Sequence, residues 1–471
     1  MTFSDGRRPQ QIADKRTGSC VSLEATARIA NSERVFDVGI HEALPPSQLF
    51  LLGLQNVFGM TGMFVFPGIL GRAFGLPADR IAYVYGMTFV VCGITTVVQS
   101  LGLLRLPIAQ GPYAGNFGAL LAVGHSQGGS LGNAYGSFFL AALIWCVLTI
   151  PIRGRSVIGS FSQHVRLPII SGMIVMLIML QIASVALPAW IGPRDSPGFP
   201  SVNLLSGAVA VSAIIVSMLW LGRRLRRVAI LVGLAAGTLC YMAFRPISFA
   251  AVANAPFLVT PAPFPFGFAV RPDFVVVFLL TLLPAALGSM ALYQTVAAWG
   301  NESMDMGRMS EGLFGMALGA VAAALCGGFG TIAYPDNIGI LRATRVGSRY
   351  VTLAAGVFLI VLGACVKFDM MLVVVPLPVI SAAATLLFGM VFMHGVHILA
   401  QVEWNDRRLI CSGLAFLVGL GGLFVSPEVT HAMPLMLQLV LQQPVISGGL
   451  TLVVLHSLLC SPKAAALRSA A

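Results

Sequence analysis

Asp336 stands where an acid is expensive. It follows the apolar run 313–333 inside the stretch Tyr334-Pro335-Asp336-Asn337-Ile338-Gly339, and a charge at the centre of a membrane-spanning helix costs about 2.5–3.5 kcal/mol on insertion scales. Most other acids fall in a polar N-terminal tail or in loops between apolar runs, among them Asp79, Asp195, Asp273, Glu302, Asp305, Glu311, Asp369, Glu403, Asp406 and Glu428. A carboxylate at membrane depth can accept hydrogen bonds from a polar solute, and it can take up a proton on one side and release it on the other. It can equally cap a half-helix by accepting free backbone N–H groups just after Pro335. The two roles are compatible. Gln55 and Asn56, adjacent amides in another apolar run, either support the same site or bond between helices.

Other patterns that suggest chemistry lack the context it needs. Gly124-His125-Ser126-Gln127-Gly128 fits G-x-S-x-G, but a nucleophile elbow needs a strand-to-helix turn on an α/β sheet. These residues fall in a glycine-rich loop between apolar runs, with no triad downstream. No Walker A sequence and no HExxH occurs, so neither ATP-driven transport nor zinc proteolysis has support, and the chain reads as no enzyme. The eight cysteines lie far apart without CxxC or Cys/His spacing, so neither a metal nor a cofactor is expected. His394 and His397 read as interfacial residues.

The elements that must position Asp336 are membrane spans. The chain has 471 residues, 57% hydrophobic and 10% charged, with a mean hydropathy of +0.89, a composition that excludes a water-soluble or a disordered chain. Its net charge of +11 does not mark a nucleic-acid binder, because the basic residues form short clusters between apolar runs instead of one stripe. At roughly 20 apolar residues per span, segments are expected near 48–70, 81–102, 107–124, 136–152, 167–188, 203–221, 227–244, 273–298, 312–330, 334–346, 350–366, 371–394, 409–426 and 434–459. With the N-terminus inside, 22 of the 28 basic residues fall on the cytoplasmic side, including Arg166, Arg223, Arg224, Arg226 and Arg227. The positive-inside rule therefore favours about fourteen spans with both termini cytoplasmic. The expected location is a plasma membrane, the bacterial inner membrane. Residues 1–45 form a cytoplasmic, largely disordered tail without a secretory signal, and 461–471 a second tail. Arg342, Arg345 and Arg349 are explained as topology determinants, and Gly315 and Gly319 as a helix contact.

Two of these spans are broken. The third carries Pro107, Gln110-Gly111-Pro112 and Gly115-Asn116-Phe117-Gly118; the tenth is short and carries Tyr334-Pro335-Asp336-Asn337 and Gly339. Irregular backbone at membrane depth is tolerated only where it is buried in protein or lines a cavity. Interrupted segments at matching positions in two halves point to a transporter's site. Three and ten match under a seven-plus-seven split, and an odd number of spans per half makes the repeats inverted, with the breaks meeting near the midplane.

Asn337, Gly339, Thr344 and Arg345 fit the spacing (Q/E)-N-x-G-x-x-x-x-T-(R/K/G), and here the chain resembles the nucleobase/ascorbate transporter family (nucleobase:cation symporter-2, xanthine/uracil permease type). Further pieces lie in the expected order: Gly53-Leu54-Gln55-Asn56, Leu106-Pro107 to Gln110-Gly111-Pro112, Leu283-Pro284-Ala285-Ala286-Leu287, and Pro376-Leu377-Pro378-Val379 with Gly389. The resemblance covers about 46–460. It implies an all-α polytopic membrane protein of two inverted seven-span repeats, with short strands in spans three and ten crossing at the site. A core domain would comprise 46–155 (spans 1–4) and 272–366 (spans 8–11), and a gate domain 156–271 (spans 5–7) and 367–460 (spans 12–14).

The resemblance also assigns roles. Asp336 takes the position of the Glu or Gln that hydrogen-bonds the base, and Asn337 orients that neighbourhood. Tyr113, Ala114, Gly115 and Asn116 face the other edge of the base, and Gly59 leaves room for its ring. In span eight the uracil and xanthine branches carry a Glu where Leu292 stands here, followed by Tyr293 and Gln294. Gln294 can bond a base but cannot take up a proton, which leaves Asp336 as the coupling acid. Gln55, Asn56, Tyr293, Gly339 and Thr344 support the site. The function so implied is secondary active transport of a xanthine-, uracil- or urate-like nucleobase, with protons as a second solute, elevator-type movement of core against gate, and a homodimer through the gate domain. The alternatives are a proton-independent facilitator, an anion carrier of the sulfate-permease type, or a carrier of another small solute on the same fold.

Overall fold

The structure, a computed structural model, describes residues 35–126, 128–160, 168–192, 194, 196, 198–220 and 228–459. Outside them lie the expected tails up to 34 and from 460, Gln127, Asp195, Arg166 and the arginines at 223, 224, 226 and 227. Apolar helices build the chain in the order α1 (Pro46–Gly59), α2 (Phe66–Ala73), α3 (Ala78–Leu101), strand β1 (Gln110–Pro112), α4 (Ala114–His125), α5 (Leu131–Thr149), α6 (Pro168–Ile191), α7 (Ser201–Leu219), α8 (Ala229–Phe244) and α9 (Ala250–Asn254). There follow α10 (Pro272–Trp299), α11 (Met306–Cys326), strand β2 (Thr331–Ala333), α12 (Pro335–Thr344), α13 (Arg349–Ala364), α14 (Val366–Val374), α15 (Leu377–Leu399), α16 (Asp406–Phe424), α17 (Pro427–His431), α18 (Leu435–Leu441) and α19 (Pro444–Leu459).

Among the described residues, eight helices are long and apolar enough to cross a membrane, or ten if the bent pairs α1–α2 and α18–α19 each count as one span. The expected seventh and eleventh spans are the shorter apolar helices α8 and α13. The expected third and tenth are strand–helix units, β1–α4 and β2–α12.

Prolines and glycines explain where the helices depart from the expected runs. The first run, expected unbroken over 48–70, stops at Gly59, makes a 3-10 turn over Thr61–Phe64, and resumes as α2 with Pro67 in its first turn. The last run bends by 87° between α18 and α19, because Pro444 has no N–H with which to continue the ladder. The twelfth run, expected from 371, instead splits into α14 and α15 around Val375 and Pro376, with Pro378 in the first turn of α15.

Two further departures concern polar segments. Asp369, expected in a loop, lies in α14 and is 0% exposed. The end of the expected disordered tail is a strap: Phe36 and Ile40 are buried, and Val38 bridges in parallel to Val346. The Asp37 N–H donates to the Arg345 carbonyl (2.8 Å), and the Arg349 N–H donates to that of Ile40 (2.9 Å). Apolar side chains hold the strap down: Phe36 meets Trp299 edge-on at 6.0 Å, and Gly347 and Gly300 leave space for Phe36 and Ile40.

The helices pack in two sets. In one, α13 lies along α3 and α1, α11 along α5 and α3, and α10 along α5. In the other, α15 lies along α6 and α7, α8 along α7, and α19 along α16 and α6. The α3–α13 approach depends on facing glycines, since a Cβ at Gly86 would stand 2.6 Å from the Gly363 carbonyl oxygen and one at Gly93 2.6 Å from that of Gly356. Small residues that admit a neighbouring backbone are how helices associate in lipid, where no hydrophobic drive acts between them. Against α3, α10 and α11 of the first set run β1 and β2, antiparallel in the register Gln110 with Ala333, Gly111 with Ile332 and Pro112 with Thr331.

Candidate functional site: the crossing of two broken spans

Gln110-Gly111-Pro112 and Thr331-Ile332-Ala333 satisfy each other's backbone groups in a place where lipid or apolar protein offers none. At each end of this ribbon the chain turns into a half-helix. The Tyr113 N–H donates to the Gly330 carbonyl (2.7 Å) and the Tyr334 N–H to that of Ala109 (3.0 Å). Two asparagines complete the pattern: the Gly330 N–H donates to Asn116 Oδ1 (3.1 Å), and the Ala109 N–H donates to Asn337 Oδ1 (3.0 Å). Each arm therefore holds the other by the same bonds, exchanged.

The surrounding helices fix this crossing. Thr96 of α3 accepts the Gln110 N–H (2.9 Å), and Ser289 of α10 accepts the Ala333 N–H (3.2 Å). Asn337 Nδ2 donates to Asn56 Oδ1 (2.7 Å), and Asn56 Nδ2 donates back to the Leu52 carbonyl (3.1 Å). Tyr334 lies over Gly111, where a Cβ would strike its ring, and its hydroxyl reaches Gly62 in the break between α1 and α2. Three interrupted segments thus meet at one place.

The half-helices α4 and α12 begin at opposite ends of a three-residue ribbon, roughly 10 Å apart at the rise of a strand. Neither Tyr113 nor Tyr334, the residues that open them, supplies a side-chain cap. Helix N-termini carry partial positive charge and free N–H groups. Asp336 stands in the first turn of α12, half-buried, where that field favours a negative charge. It interacts with other groups of the protein.

Around the ribbon, the Gln110 amide faces the Tyr293 hydroxyl, and Tyr113 Oη and Asn116 Nδ2 are buried without partners among the described residues. Such groups are rare in folded proteins and call for a ligand or a function. Gln110 was not among the expected site residues. An amide beside Gly-Pro in an apolar run was the signal available.

A cleft of about 260 Å³ opens one turn further along α4, between Phe117, Gly118 and Leu121 on one side and Gln181, Ser184 and Gln442 on the other. Asp336 does not line it. Gln181 Nε2 donates to Gln443 Oε1 (2.6 Å), and Gln443 Nε2 donates to the Gly118 carbonyl (3.0 Å). This chain of amides joins α4 to α6 and to the bend between α18 and α19 of the second set. An aromatic wall closes the same contact: Phe117 stacks on Phe66 (5.3 Å between centroids), which stacks on Phe388 of α15 (5.9 Å).

The remaining expected residues fall into place unequally. Tyr113, Ala114, Gly115, Asn116, Asp336 and Asn337 gather at the crossing, with Asn56 attached through Asn337 and Gln55 its half-buried chain neighbour. The space beside Gly59 is occupied by Ile340. Gly339 faces open space, for a Cβ there would meet nothing within 4 Å. Thr344 sits at the far end of α12 and donates to the Ile340 carbonyl (2.9 Å). Tyr293 is fully buried and donates to the Gly312 carbonyl (3.3 Å), turned towards α11, while Gln294 beside it is half-buried.

Comparison with known proteins adds a sequence relation and a fold relation. Residues 47–428 match the Permease family, by its xanthine/uracil permease pattern. The chain is 27% identical over 431 residues to the uric acid permease PucK of Bacillus subtilis, covering 88% of this chain and 96% of that one. It is 25% identical to a xanthine permease of the same organism (86% and 92% covered), and 24% identical to the uric acid transporter UacT of Escherichia coli (88% and 87%). In fold it is similar to the transmembrane domain of the cyanobacterium bicarbonate transporter BicA, with a TM-score of 0.54 at 13% identity over 88% of this chain and all of that one. The murine Slc26a9 anion transporter gives 0.60 at 12% identity, over 95% and 76%.

Proposed function

The chain belongs to the Permease family, and from that premise we propose that it is a secondary transporter of an oxidised purine of the xanthine or urate type, with Asp336 as the group that bonds the base and carries the coupled proton. The observation that carries this reading is the reciprocal crossing of β1 and β2, with an acid in the first turn of α12 on one arm and buried polar groups without partners among the described residues on the β1–α4 arm. A flat heterocycle with N–H and C=O groups on its edges suits such polar groups.

In this reading the chain crosses the membrane about fourteen times as two inverted repeats, with the termini cytoplasmic. Support comes from the exchanged bonds of Asn116 and Asn337, which is what an inverted pair of broken spans produces. The set around α3 and α13 is the core and the set around α6 and α15 the gate. Displacement of one against the other breaks and remakes the Gln181–Gln443–Gly118 chain. The exposed apolar faces of α7 and α16 then meet lipid or, in a homodimer, a second copy of the gate.

The alternative is anion transport, since the likeness to bicarbonate and Slc26a9 carriers is one of fold. An acid in the first turn of α12 disfavours a bound anion, and the relatives in sequence are permeases of uric acid and xanthine. Uptake of labelled xanthine, urate, uracil and sulfate into proteoliposomes, with and without a pH gradient, separates the readings. Purine uptake driven by the gradient is expected; uptake of sulfate alone would replace this reading with the anion one.

A further inference from the structure

Asp369 is a buried acid that the crossing does not use. Its helix α14 has nine residues, too few to span a bilayer, and connects α13 of the first set to α15 of the second. The side chain is 0% exposed, and neither carboxyl oxygen has a hydrogen-bond partner among the described residues. A Cβ on Gly86 of α3 would stand 2.7 Å from Asp369 Oδ2, so the carboxyl enters through the space that this glycine leaves. Ala82, Ala255, Val366 and Met370 form the apolar cluster about α14.

The titratable groups nearby do not neutralise it. Arg72 of α2 turns to the connector itself, with Nη2 donating to the carbonyls of Val373 (2.8 Å) and Val375 (2.6 Å), and its Nη1, buried without a partner among the described residues, makes no bond to the Asp369 carboxyl. Lys367 on α14 donates instead to the Ala253 carbonyl of α9 (3.1 Å), and α9 brings no titratable side chain. On α3, the Tyr85 hydroxyl donates to the Phe64 carbonyl (2.9 Å), that of Tyr83 donates to Ala262 (3.1 Å), Arg80 reaches the Pro265 carbonyl (3.3 Å) and Asp79 lies in the first turn. Arg349 and Tyr350 stand at the opposite end of α13, about 24 Å away along a helix of that length. Cys365 adjoins α14.

An ionised carboxylate without donor or counter-ion in such surroundings is strongly disfavoured against its neutral form.

We propose that Asp369 is a second proton-binding site, filled while α14 lies on Gly86 and emptied when α14 leaves it. On opening, the carboxyl O–H gives its proton to water and a hydrated carboxylate remains; on closing, the carboxylate takes a proton back from water. Because α14 joins the two helix sets, a displacement between them carries this proton event away from the substrate crossing. The use of the site in transport rests on the function proposed above, whereas its existence does not.

The test therefore begins without substrate, on the purified full-length protein and its Asp369→Asn variant melted between pH 5 and pH 8. A folded-state pKa raised above the unfolded value gives a stability that is complete below the unfolded pKa and is lost as pH rises through the folded one. The wild-type melting temperature is expected to fall relative to the variant by roughly 1 °C per pH unit; a difference that stays constant with pH overturns the proposal. Infrared spectra at pH 7 give a second reading: a protonated-carboxyl C=O band that Asp369→Asn lacks supports the site, and the same band in both proteins refutes it. In uptake of labelled xanthine and urate the variant should keep its KM and shift its pH profile, and an unmoved profile overturns the link to movement. If neither protein carries any base, the transport reading fails, and melting and infrared still decide the proton site.

Discussion

Asn116 and Asn337 hold the crossing by the same bond made twice. Each is the third residue of the half-helix after its own strand, and each accepts the backbone N–H of the residue that leads into the other strand, Gly330 at 3.1 Å and Ala109 at 3.0 Å. Replacing either by Ala leaves a buried N–H unpaired, at a cost of about 1–3 kcal/mol. Asn337→Ala should cost more than Asn116→Ala, because Asn56 Oδ1 also loses its donor. Thermal unfolding in detergent checks the order; equal melting temperatures for both variants and wild type would contradict the account of the crossing.

The amide chain between the helix sets predicts a change of access rather than of fold. Gln443→Ala removes both the bond to Gln181 and the bond to the Gly118 carbonyl. A cysteine placed at Ser184, on the wall of the cleft, should then react several-fold faster with a water-soluble maleimide. An unchanged rate would mean that the two sets part elsewhere.

The strap of residues 35–43 is expected to be part of the folded core. Truncating Phe36, 2% exposed against Trp299, should cost about 3–5 kcal/mol as Phe36→Ala. The melting temperature of Phe36→Ala reads this directly, and a value equal to wild type would show that the strap adds nothing.

Legibility in the sequence followed the range of the interaction. The breaks of the third and tenth spans were legible because Gln110-Gly111-Pro112 and Tyr334-Pro335-Asp336-Asn337 violate a helical pattern locally. Their pairing was implied by the two-half arrangement, but its register, Gly111 opposite Ile332, depends on contacts more than two hundred residues apart. The strap is not legible in the sequence because a polar tail with two apolar residues has the composition of disorder, while the room for Phe36 and Ile40 comes from the missing side chains of Gly347 and Gly300. Asp369 was misplaced for the same reason: its neighbours Lys367 and Phe368 read as a loop, while the glycine that admits it lies at position 86. Gln181 and Gln443 are single amides in apolar runs, and nothing local to either says that they meet.

The role of Asp336 is tested most directly by uptake of labelled xanthine and urate into proteoliposomes under an inward proton gradient, wild type against Asp336→Asn. Loss of a charge-assisted hydrogen bond to the base, about 1.5–3 kcal/mol, predicts at least a tenfold fall in uptake. The residual rate should no longer respond to the gradient. A variant that transports at the wild-type rate, with the wild-type dependence on pH, would contradict the assignment.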